Sequence, residues 1–147
     1  MGISWGTTLT ELVREYPFER RIDMKVIPLE GGIGRHHVEI HTNQLAYELA
    51  KKMHCTCSYL YAPAIVEIEE LKERLMSMED IKAVLEESKS VDTAFIGIGN
   101  PHQASTLKKI GYLQEEDLNH LREVRAVGDI GFRFFDRTGS VKGYSRN

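Results

Sequence analysis

Gly6-Thr7-Thr8 stands where a short apolar run, Ile3-Ser4-Trp5, gives way to apolar residues at helical spacing. A helix starting here offers unpaired backbone N–H groups and a partial positive charge, and two adjacent threonine hydroxyls can donate to one anion. Gly6 adds room for close backbone approach. The same residues also read as a plain helix start. Thr8-x-x-Glu11 has the spacing of a capping box, with Thr8 capping the helix and Glu11 reaching back. No Gly-x-x-x-x-Gly-Lys-Ser/Thr is present, which excludes a nucleotide P-loop.

Other groups invite the same double reading. Gly31-Gly32-Ile33-Gly34 and Gly97-Ile98-Gly99 follow β-type runs, where glycine serves a tight turn and equally lets a ligand approach backbone. Neither is a dinucleotide loop, because His102 stands where the third glycine of the second stretch should be. Among His36, His37 and His41 the adjacent pair diverges on any regular backbone, so no metal is expected, whereas His41 alone can donate to a ligand oxygen. His54, Cys55 and Cys57 lack a second ligand pair and read as reduced, packed thiols. Asp129 reads as a turn or cap residue, or as a pocket carboxylate accepting two sugar hydroxyls. No Ser/His/Asp order, paired catalytic carboxylates or Cys/His dyad is evident.

The elements that must position these groups alternate between β and helical periods, the pattern of α/β architecture. Residues 3–5 and 24–29 read as strands, and Leu9, Leu12, Val13 and Tyr16 form one helical face that ends near Pro17. Leu45, Ala46, Leu49 and Met53 mark a second helix, followed by an apolar strand over 56–64. Two helices follow, carrying Ile68, Leu71 and Leu75, then Ile81, Val84 and Leu85 behind a second capping box, Ser77-x-x-Asp80. Residues 92–99 read as a strand buried on both faces. Residues 115–121 read as a short helix, and 128–145 as a strand, a Thr138-Gly139 turn and a return strand. A mostly parallel sheet between helices places ligands at the carboxyl ends of its strands, hence near 6–8, 30–35, 62–64, 97–101 and 127–130.

With 147 residues the chain is most simply one domain, large enough for a core without disulfides or metals. A formal charge of −3 gives no footprint for gripping DNA unaided. No apolar run is long enough to span a membrane and no signal-peptide pattern opens the chain, so a cytoplasmic protein is expected, without cofactor or metal.

Read together and in order, Gly6-Thr7-Thr8-Leu9, Gly31-Gly32 after a strand, the Gly-Ile-Gly strand end with Gly111-Tyr112-Leu113 and its acidic helix, and 126–136 form a set. The set resembles the effector-binding domain of SorC/DeoR-type sugar-responsive transcription regulators. That resemblance implies a Rossmann-like three-layer α/β domain related to sugar-phosphate isomerases and CoA transferases, ending here in an antiparallel hairpin. It implies a sensor of a phosphorylated sugar that controls a sugar-catabolism operon, forms an oligomer and is not an enzyme. A sugar-phosphate isomerase or deaminase, and a purely structural remnant, are the alternatives. Carried over by position, Gly6, Thr7 and Thr8 hold the phosphate, and His41 and Asn43 line the site. Lys108 or Lys109 lies near a ligand phosphate, Asp129 binds sugar hydroxyls, and Gly97 and Gly99 form a ligand loop. The position before Gly31-Gly32 varies within the family. Glu30 there accepts hydroxyls but repels a second phosphate, which favours a monophosphate. Complete members open with a helix-turn-helix domain not found in residues 1–147 and continue beyond the segment matched at 134–136. The chain is therefore expected to be one truncated effector domain that reaches DNA only through that missing part, with exposed sheet edges that favour self-association.

Overall fold

The computed structural model describes residues 1–103 and 105–142. They divide into two compact units, the first spanning 1–96 and the second beginning at Gly97. In the first, β1 (Gly2–Ile3), β2 (Lys25–Pro28), β3 (Thr56–Cys57) and β4 (Ala94–Phe95) form a parallel sheet in the order β3-β2-β1-β4. The helices α1 (Thr7–Glu15), α2 (Thr42–Met53), α3 (Glu69–Ser77) and α4 (Glu79–Lys89) connect them, with a 3-10 turn at Val38–Ile40 before α2. The α/β class with a mostly parallel sheet flanked by helices therefore holds.

The stripe read on α2 builds the core. Leu45, Ala46, Leu49 and Met53 are all buried and pack with Ile3, Leu9, Val13 and Val26. Val26, Ile27 and Pro28 are buried in succession, as expected of a strand covered on both faces. Tyr16 turns extended after α1 because the Pro17 ring disfavours helix at the preceding residue.

Several expectations are corrected. The apolar segment over 56–64 pairs only at Thr56–Cys57 and then runs as a loop. Residues 92–99 pair only at Ala94–Phe95 and are not buried on both faces: β4 lies at the sheet edge, and Ile98 is 73 % exposed. Ser77-x-x-Asp80 forms no capping box. Ser77 closes α3 with its hydroxyl on the Arg74 carbonyl, and Met78 occupies the junction before α4. The α3 stripe is an exposed face, with no buried residue in that helix.

The second unit holds α5 (Thr106–Lys109), α6 (Glu115–Glu123) and an antiparallel sheet of β5 (Gly128–Ile130), β6 (Arg133–Phe135) and β7 (Val141–Lys142). The expected single strand from 128 is thus two strands, and the hairpin a three-stranded meander. Gly131 and Phe132 adopt φ of 53° and 64°, the two-residue I′ geometry that matches strand twist. The Thr138-Gly139 turn forms as read, with Asp136 Oδ1 accepting from the Thr138 and Ser140 amides. Residues 143–145 of the expected return strand lie outside the described residues. The acidic helix is α6, and it carries the capping box that does form, between Gln114 and Asp117.

Gly31 shows why one glycine of the first loop is required. Its neighbour Gly32 bridges to Pro63, and a Cβ on Gly31 would lie 2.1 Å from the Ala62 carbonyl oxygen. Backbone cannot yield as a side-chain end can. Gly31→Ala should therefore lower unfolding free energy by ~2 kcal/mol or more in chemical denaturation.

Candidate functional site

In the first unit the candidate residues gather at the carboxyl ends of β1 and β2. Gly6 leaves β1 with φ 123° and ψ 165°, a conformation closed to residues with a side chain, and begins α1 two residues earlier than expected. Thr7 and Thr8 are consequently the first two helical residues, and the expected Thr8–Glu11 capping box is absent: no side chain caps α1, and Glu11 pairs with Arg14. The Gly6 N–H is also committed, donating to the Ile40 carbonyl at 3.1 Å, while the Gly6 carbonyl accepts from the Thr10 amide and hydroxyl. The start of α1 thus presents the Thr7 and Thr8 amides, with no acidic residue in its first turn. Among the described residues neither the Thr7 nor the Thr8 hydroxyl makes a hydrogen bond, and both residues are exposed. Positive dipole end, free amides and free hydroxyls coincide.

Glu30 follows β2 and turns inward. Its carboxylate accepts from Ser4 Oγ at 2.7 Å and, more weakly, from Thr42 Oγ1 at 3.5 Å. Both donors are 1 % exposed. Burial raises the Glu30 carboxyl above its ordinary range, and the two hydroxyl bonds offset part of that rise. A carboxylate has about four acceptor positions, so two hydroxyl donors leave capacity for more. Ser4 and Thr42 escaped the sequence reading because nothing in their local spacing shows that strand β1 and helix α2 deliver them to one carboxylate. Gly32 has open space where its Cβ would be, so ligand approach is possible there, in contrast to Gly31.

His41 and Asn43 flank the start of α2 with their side chains engaged. The His41 ring Nε2 donates to the His36 carbonyl at 3.1 Å, and His41 is the residue before Thr42 at the helix start. The Asn43 amide clamps Leu60, donating to its carbonyl at 3.0 Å and accepting its N–H at 2.9 Å. Each shapes the rim through backbone contacts. Burial raises the Cys55 and Cys57 thiols, as befits packed, protonated sulfur. Among the described residues no group of three or more His, Cys, Asp or Glu is placed to hold a metal.

The second unit holds the remaining candidates. Gly99 and Asp129 exchange backbone hydrogen bonds of 2.9 and 3.1 Å, and the Asp129 carboxylate lies over Gly99, where a Cβ would meet Oδ1 at 2.1 Å. Asp129 is only 6 % exposed, and among the described residues no donor reaches its carboxylate. Burial alone pushes its carboxyl up to about 6. Gly97 lies in the extended segment after β4. Lys108 is exposed in α5 and pairs with Glu115 at 2.6 Å, and Lys109 is exposed beside it.

A parallel sheet whose strand ends carry an uncapped helix start and a half-buried, hydroxyl-fed carboxylate defines a small-ligand-binding α/β domain. The whole chain, residues 1–147, matches the family described as "Putative sugar-binding domain". It is 27% identical over 141 residues to the deoxyribonucleoside regulator of Bacillus subtilis, and 27% identical over 144 residues to the sorbitol operon regulator of Klebsiella pneumoniae. Each alignment covers 96% of this chain and 45% of the relative. Among solved structures, a DeoR family transcriptional regulator from Listeria monocytogenes superposes with a TM-score of 0.87 at 45% identity, over 97% of this chain and 56% of that one. A structure described as "Probable sor Operon Regulator" from Shigella flexneri gives 0.84 at 26% identity, over 97% and 55%. The chain belongs to the sugar-binding domain family of SorC/DeoR transcription regulators. It spans about half the length of the relatives it matches, and those relatives are regulators, not enzymes. No helix among the described residues is long and apolar enough to cross a membrane.

Proposed function

We propose that this chain is the effector-sensing part of a regulator of a sugar-catabolism operon, and that its effector is a sugar or polyol bearing one phosphate. The observation that carries this reading is the free start of α1, Gly6-Thr7-Thr8, beside the half-buried carboxylate of Glu30 with its Ser4 and Thr42 donors. The phosphate accepts from the Thr7 and Thr8 amides and hydroxyls, where the helix dipole favours negative charge. Glu30 accepts ligand hydroxyls. For Asp129, in the second unit, the role of hydroxyl acceptor follows from the family resemblance alone. Gly97 and Gly99 keep the loop beside it small, and Lys108 or Lys109 supplies positive charge. DNA contact belongs to a helix-turn-helix part of the full-length regulator, and self-association through exposed sheet edges remains the expectation for this chain.

A thermal-shift panel of sugar phosphates tests this. A binder selective for the native state raises the melting temperature, and stabilisation without turnover is the expected result. Turnover would instead point to isomerase or deaminase chemistry, and silence across the panel to a purely structural module. Glu30 sharpens the test. The wild-type chain should bind a hexitol or ketose monophosphate more tightly than a ketose bisphosphate in calorimetry, and Glu30→Gln should narrow that preference about tenfold by removing like-charge repulsion. Tighter wild-type binding of the bisphosphate would overturn the monophosphate assignment.

A further inference from the structure

Within the first unit, α1 and α2 lie side by side and run the same way, as the contacts at their two ends show. At the amino ends, the Val38–Ile40 turn sits against the start of α1. The Gly6 N–H donates to the Ile40 carbonyl at 3.1 Å, and Thr10 Oγ1 to the Glu39 carbonyl at 3.2 Å. At the carboxyl ends, Lys52 Nζ donates to the Arg14 carbonyl and, at 2.9 Å, to that of Tyr16. Between the helices lies a cavity of about 580 Å³. The buried Val13 and Leu45 give it an apolar floor, Val38 and Glu39 line its amino end, and Arg14 and Lys52 its carboxyl end. Beside the carboxyl end stands Phe18, 77 % exposed. The chain here is tied to the end of α2: the Glu19 and Arg21 amides donate to the Lys52 and Met53 carbonyls at 3.1 and 2.8 Å. Lys52 Nζ lies 5.5 Å from the centre of the Phe18 ring.

One face thus carries an apolar-floored cavity and, beyond its carboxyl end, an exposed phenyl ring held in place. Charge is divided along the same face. Glu39 lies at the amino end, with His37 Nδ1 at 3.5 Å, and Glu48, midway, is paired with Lys51 at 2.8 Å. Arg14, Arg20 and Lys52 lie at the carboxyl end. Arg14 is paired with Glu11 and Glu15, whereas among the described residues Arg20 and Lys52 have no carboxylate partner. Such a face is complementary to itself in one direction only. A two-fold axis through its middle lays the amino end of one copy over the carboxyl end of the other. That brings Glu39 toward Arg20 and Lys52, and a phenyl ring toward an apolar pocket. A parallel arrangement would set Glu39 against Glu39 and leave the ring outside the cavity.

We propose that the α1–α2 face is where two copies of this chain meet, antiparallel about a two-fold axis, each Phe18 entering the other copy's cavity against Val13, Val38 and Leu45. This contact depends neither on the sugar-phosphate reading nor on pairing of sheet edges. Sedimentation over a concentration series tests it, and the wild-type chain should form a reversible dimer. Phe18→Ser should weaken that dimer about 100-fold, because each dimer loses two buried aromatic anchors. Its circular dichroism should match the wild type, since the ring is exposed in the single chain. Glu39→Lys and Arg20→Glu should each weaken the dimer about tenfold, and the two together should return it to within a few-fold of wild type, the ion pairs being restored with their signs exchanged. A wild-type chain that stays monomeric up to about 0.1 mM would overturn the proposal. So would a dimer that Phe18→Ser leaves intact, which would move the contact to a sheet edge or another surface. A double charge reversal no better than either single one would overturn the antiparallel arrangement.

Discussion

Thr7→Val combined with Thr8→Val should lower affinity for a stabilising sugar monophosphate by about 100-fold or more, with the free chain melting as the wild type does. Valine keeps the branched shape and has a similar helix propensity, so the exchange removes little besides two hydroxyls. Both residues are exposed in the first turn of α1, and neither hydroxyl has a hydrogen bond to lose among the described residues. A charge-assisted hydrogen bond contributes about 1.5–3 kcal/mol, and two of them account for the expected factor. The double serine variant retains the donors and should bind within a few-fold of wild type. Calorimetry and thermal unfolding on the three proteins separate the cases, and undiminished binding by the valine variant would remove the phosphate from this helix start.

Asp129→Asn should act in opposite directions on stability and on binding. Burial holds the Asp129 carboxyl at about 6 in the folded chain, above its ordinary 3.8. Ionising it therefore costs more in the folded than in the unfolded state. That cost is absent below the lower value, grows as pH rises between the two, and is fully present above about 6. The asparagine variant does not ionise, so its advantage should be small near pH 4 and reach ~1–3 kcal/mol at pH 7.5 in chemical denaturation. Glu30, also raised by burial, leaves a residual dependence of the same sign in both proteins. Binding of the sugar monophosphate should weaken, because the amide offers one acceptor oxygen where the carboxylate offers two. A stability difference that is the same at both pH values would sever Asp129 from the pH dependence. A carboxylate kept buried without protein donors is the kind of local cost that functional sites carry.

How much of this could be read from the residues depends on whether the signal is local. The α2 stripe, the glycine loop after β2 and the Thr138-Gly139 turn are set by neighbours in sequence, and all three form as read. Asp129 stands out in the sequence by its place beside a strand, and it lies in β5 with 6 % exposure. The misreadings depend on tertiary context. An apolar run such as 92–99 looks the same in a central strand and at an edge, and only the order β3-β2-β1-β4 decides between them. Thr8 has a capping sequence, but the Gly6 backbone turns sharply enough to begin the helix earlier. Gly131-Phe132 carries no turn signature in the sequence, because an aromatic residue at positive φ is uncommon. Ser4 and Thr42 acquire their roles only through a partner on another element, which no spacing rule reveals.

The position of β1 between β2 and β4 bears on how the chain reaches its structure during synthesis. Gly2 pairs with Ile27 on one side and with Ala94 on the other, so β1 emerges before either neighbour and waits for β4 until Phe95 has left the ribosome. Long-range closure of this kind is slow, because chain entropy is lost before the contacts that offset it are made. The meander of β5, β6 and β7 needs only neighbouring segments. In a pulse-labelling experiment its amides should gain protection before those of β1.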